Sequence, residues 1–164
     1  MSGKDHKVAA LLEGVKTGPH DPHFAGYIRF FNEQKFYEAH DVLEALWLQD
    51  RHGPDGDFFK GLIQFAGAFV HLQKRRPRPA SKLFRLCATY LAEYPLPHLA
   101  LDVANILRLA KRWGEAAQAL GYEGGLLAKE QPWIFSSSRC PTPSSACFLG
   151  SAAWMMSESS TFDK

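Results

Sequence analysis

Apolar residues in this chain recur every three or four positions instead of alternating, and that spacing predicts helices rather than strands. After the break Pro19-His20-Asp21-Pro22, the residues Phe24, Ile28 and Phe31 predict a helix over about 22–32 that ends near Asn32. A second helix is predicted over about 35–50, where Phe36, Leu43 and Trp47 share a face with His40. His52-Gly53-Pro54-Asp55-Gly56 has the composition of a turn, because Gly and Pro both disfavour a helix interior. Beyond it, a helix over about 57–73 is apolar nearly all round: Phe58, Phe59, Leu62, Ile63, Phe65, Ala66, Phe69, Val70 and Leu72. Such a helix belongs at the centre of a bundle.

Gly61, Ala66, Gly67 and Ala68 leave room for a neighbouring backbone, and the short connection makes the 35–50 helix the expected antiparallel neighbour. Lys74 to Pro79 reads as a basic, proline-broken turn, followed by a helix marked by Leu83, Leu86, Cys87, Tyr90 and Leu91 and stopped by Pro95 and Pro97. A last amphipathic helix is predicted over about 98–119, with Leu99, Val103, Ile106, Leu107 and Ala110 inward, and Gly121 closing it. The expected architecture is all-α: a single compact bundle of about five helices over 21–130, preceded by a segment over 1–20. From 136 to 164 the chain turns to Ser, Pro, Cys and small residues without periodicity, which predicts a low-complexity, disordered tail.

Composition agrees with one water-exposed domain: 164 residues, 46% apolar, enough to close a single core. A net charge of +2 is far from that of a chain dedicated to nucleic acid, so nucleic-acid binding is not expected of the whole surface. Three cysteines, Cys87, Cys140 and Cys147, have no metal spacing and do not suggest a disulfide framework. Glu13 and Lys16 interrupt the short apolar run near the start, and no stretch approaches the roughly twenty apolar residues needed to span a bilayer. The expected location is cytoplasmic, with no membrane partner. The apolar breadth of the 57–73 helix allows a homodimer as readily as a monomer.

Two blocks carry a family resemblance. Phe-Phe-Asn at 30–32 leads into Phe-Tyr-Glu-Ala-His-Asp-Val-Leu-Glu-Ala-Leu-Trp at 36–47, and Lys-Gly-Leu-Ile-Gln-Phe-Ala-Gly-Ala-Phe-Val-His-Leu follows at 60–72. Over about 30–91 the chain resembles the bacterial and archaeal domain-of-unknown-function family numbered 309. The resemblance implies a compact helical bundle and brings no activity with it. Asp41 stands where that family usually has Glu, and Pro79-Ala80 where it usually has Gly-Ala.

Candidate chemistry gathers on the two matching helices. His40 and Glu44 lie one turn apart beside Trp47 on an otherwise apolar stripe, while Glu38 and Asp41 are expected on the other side. Gln64 and His71, seven apart, project from one side of the 57–73 helix. If the helices are antiparallel, His71 approaches His40. The junction of His40, Glu44, Trp47, Gln64 and His71 then reads as a hydrogen-bonded network or a pocket for a partner or small ligand. The same His40, Glu44 and His71 admit a divalent metal, and with it a metal-assisted or acid–base hydrolase, so whether the protein is an enzyme stays open. A basic patch, Lys74, Arg75, Arg76, Arg78, Lys82 and Arg85, is the place where a nucleic acid could bind, although no aromatic residue is interleaved in it.

Overall fold

The computed structural model describes residues 3–15, 19–95 and 97–123, and these form six helices. They are α1 (Gly3–Leu12), α2 (Pro22–Asn32), α3 (Phe36–Gln49), α4 (Gly56–Gln73), α5 (Pro77–Leu91) and α6 (Val103–Glu123). The all-α bundle expected from the periodicity is present, with α2 to α6 matching the five predicted helices. The sixth, α1, lies in the segment taken as preceding the bundle. It docks through buried Val8, through Leu12 against Gly26, and through an ion pair from Lys7 to Asp41 at 3.0 Å. The predicted tail over 136–164 lies outside the described residues.

Local chemistry sets the helix ends. The Asp21 carboxylate accepts from the backbone N–H of His23 at 2.8 Å, and Pro22 occupies the first turn of α2, where its missing N–H leaves no bond unmade. Pro77 plays the same part at the start of α5, so the proline-broken turn ends earlier than its composition suggested. α6 begins at Val103, later than predicted. His98 and Leu101 exchange backbone hydrogen bonds of 3.2 and 2.9 Å around Leu99 and Ala100, which have φ of 46° and 62°, and the helix cannot start until that turn closes. Asp102 then accepts from the backbone N–H of Asn105 at 2.9 Å, capping α6. Gly121 does not end this helix, contrary to expectation. It lies within it, where a Cβ would be 3.0 Å from Cγ of Arg78, so its role is to let α5 approach.

Neighbours in sequence are neighbours in space: α2 packs on α3, α3 on α4, α4 on α5 and α5 on α6. Aromatic rings fill the centre. Phe31 stacks on Phe65 with centroids 5.2 Å apart, and Phe36 on Phe69 at 4.8 Å. Phe84 and Trp113 meet Phe69 edge-on at 5.2 and 5.7 Å. Tyr27 is buried and donates its hydroxyl to the carbonyl of Leu62 at 3.0 Å; burial pushes that phenol well above its ordinary range. The small residues of α4 do not all face α3. A Cβ on Gly61 would be 2.9 Å from Leu91, so this glycine admits α5 instead.

This order leaves one strip of α4 only half covered. α3 and α5 flank α4 without being a packed pair themselves. Between them Lys60, Gln64, Gly67 and His71, spaced four, three and four, are all half-buried. α4 is central, as its composition predicted, but it is apolar on its core face and polar along this strip.

Candidate functional site

The strip forms the floor of a groove walled by α3 and α5. His40, Glu44 and Trp47 follow helical spacing along α3 and are half-buried, as are Leu83 and Tyr90 on α5. At its middle the two walls come to contact distance over Gly67: a Cβ there would be 3.6 Å from Cδ2 of His40 and 3.4 Å from Cδ1 of Leu83. A longer side chain at this position would stand between the walls. Toward the Trp47 end, the Arg51 guanidinium and the Lys60 ammonium each lie 5.9 Å from the indole, and Lys60 lies 4.6 Å from the Tyr90 ring. The indole Nε1 of Trp47 and Nδ1 of His71 are buried without a hydrogen-bond partner. Each such atom costs roughly 1–3 kcal/mol while it lacks one.

His40 also belongs to a tighter cluster. Ligand atoms of His40, Asp41 and Glu44 all lie within 4.8 Å of one another. Asp41 was expected on the far side of its helix; it is instead buried, with one carboxylate oxygen 3.6 Å from Nδ1 of His40 and the other 3.0 Å from the Lys7 ammonium. The hydrogen bond from Lys7 to Asp41 raises the Lys7 pKa above its ordinary value. The ion pair comes from α1, which no sequence signal placed against α3. His71 is not a member of the cluster. Its imidazole pKa is lowered, first by burial and then by Arg76 and Lys74, so it is held neutral beside the basic turn.

The basic residues do not form one uniform patch. Lys74, Arg75, Arg76, Arg78, Lys82 and Arg85 are all exposed, but Arg78 alone among them donates, through Nε, to the carbonyl of Gly121 at 3.3 Å and helps hold α6. Sequence reasoning missed Lys60, Arg51 and Tyr90. The signal for Lys60 was present, because it precedes Gln64 by one turn, while Arg51 sits in a turn and only the fold brings Tyr90 near. It also missed a His98–Asp55 pair at 2.7 Å, which ties the connection before α6 to the start of α4. Cys87 is buried and its thiol pushed far up by that burial, which leaves it inert.

Fold and site together define a small helical bundle with a polar groove over its central helix. Residues 24–83 match the model of a family described as "Domain of unknown function (DUF309)", so the resemblance read from the two sequence blocks holds across α2, α3, α4 and the first part of α5. No curated protein and no solved structure matches the chain. Among the described residues, no helix is long and apolar enough to cross a membrane.

Proposed function

We propose that the protein binds a small ligand in the groove between α3 and α5. The observation that carries this reading is the pair of buried, unpartnered atoms, Trp47 Nε1 and His71 Nδ1, on elements that line the groove. Buried polar groups are normally satisfied, and a binding site is a common reason for an exception. Gly67 supports it, since a side chain longer than alanine there would press on His40 and Leu83, one from each flanking helix. Equilibrium dialysis of the purified chain against a mixture of small metabolites, with mass spectrometry of what is retained, tests the reading. The native chain is expected to retain a compound that Gly67→Leu and Gln64→Leu do not, both variants being checked for native helicity by circular dichroism. Equal retention by all three, or none by the native chain, would overturn it.

A second reading, a divalent metal held by His40, Asp41 and Glu44, is favoured by the 4.8 Å cluster. Zinc–ligand distances are about 2.0–2.2 Å, so the donors need only a small inward movement, and three ligands leave a position for water in the manner of hydrolytic sites. Lys7 already neutralises one oxygen of Asp41, and a metal has to share that carboxylate or displace the ammonium. Elemental analysis of tag-free protein after equilibration with zinc or manganese decides this. Bound metal lost in His40→Ala supports the metal, and metal-free native protein removes it.

A further inference from the structure

The groove has an electrostatic direction that narrows its ligand. We infer that its Trp47 end holds an oxyanion, a carboxylate or a phosphate group, between the indole N–H of Trp47 and the ammonium of Lys60. This rests on the reading of the groove as a ligand site.

Lys60 is half-buried on the floor strip, its ammonium 5.9 Å from the Trp47 ring and 4.6 Å from the Tyr90 ring. Arg51 brings a second cation to 5.9 Å from the same indole. Among the described residues neither cation has a carboxylate within ion-pair distance, whereas Lys7 beside α3 is paired with Asp41. Two cations gathered on one ring without an acid repel each other and favour an anion between them. The aromatic faces attract the cations but offer no counter-charge. The donor edge of the same indole is buried and unsatisfied.

Glu44, one turn back along α3, does not supply that anion. It belongs with His40 and Asp41 in a cluster whose ligand atoms lie within 4.8 Å of one another. The Trp47 end of the groove thus carries two cations, Lys60 and Arg51, and an anionic group seats there.

The test follows the Trp47 indole N–H by ¹⁵N NMR, assigned with Trp47→Phe, while sodium phosphate or sodium acetate is added at constant ionic strength against a sodium chloride control. A saturable shift with phosphate, with acetate or with both is expected, and the difference between the two arms tells which oxyanion geometry fits. Lys60→Met, which keeps the apolar stem, should weaken binding about tenfold, and Arg51→Gln in its exposed turn should weaken it less. No shift beyond the chloride control, or unchanged affinity in both variants, overturns the inference. Should dialysis then retain a neutral or cationic compound, the groove reading stands and only its ligand class falls.

Discussion

The two faces of α4 are cut from the same 18 residues and have opposite fates. Phe58, Leu62, Phe65, Phe69 and Leu72 are buried and in contact with rings or aliphatic groups from the other helices. Lys60, Gln64, Gly67 and His71 are half-buried, and a polar atom of His71 has no partner. The core face is closed because α2, α3, α5 and α6 all send aromatic side chains to it. The other face stays half-covered because α3 and α5 flank it without packing on each other. One face is packed in the core and the other is half-buried and polar, so substitutions on the two faces should behave differently.

The largest effect belongs to the core face. Phe69→Ala removes a ring in contact with Phe31, Phe36, Phe65, Phe84 and Trp113 and should destabilise the protein by about 3–5 kcal/mol, read from the denaturant midpoint. A loss under about 1 kcal/mol would mean that this cluster does not form the core.

Glycines give the sharpest contrast. Gly61→Ala places a Cβ 2.9 Å from Leu91 and 3.2 Å from Cβ of Tyr90, and overpacking there should cost about 1–3 kcal/mol. Gly67→Ala meets nothing closer than 3.4 Å, so the better helix propensity of alanine should raise stability by up to about 1 kcal/mol. Thermal melts of the two variants should move in opposite directions. If both fall, the strip at Gly67 is as tightly packed as the core.

The smallest effect is a pH dependence. The folded-state pKa of His71 lies below its ordinary 6.5, so on acidification the unfolded chain takes up the proton first. Its contribution is fully present above about 6.5 and is lost as pH falls through the lower folded-state value. His71→Gln should flatten that part of the stability profile, measured by urea titration at several pH values. An unchanged profile would place the acid sensitivity on another group.

Much of the fold could be read from the chain because it rests on local rules. The Phe24, Ile28, Phe31 spacing located α2 to the residue, and the turn around Gly53 and Pro54 separated α3 from α4. The start of α6 was misjudged because Leu99 and Ala100 adopt a left-handed turn that neither residue type advertises. α1 was missed because only Val8 among its described side chains is buried, so its apolar periodicity is weak.

For the site, the sequence by itself determined which residues share a stripe: His40, Glu44 and Trp47 on one helix, Gln64 and His71 on the next. Helical geometry alone settles that, since it depends only on positions within one segment. Which atoms are left without partners, which carboxylate is drawn to Lys7, and where Lys60 meets Trp47 and Tyr90 were decided by the tertiary structure. Those relations join residues on different helices, and they are set by how α1, α3 and α5 dock around α4, a placement that no single segment encodes.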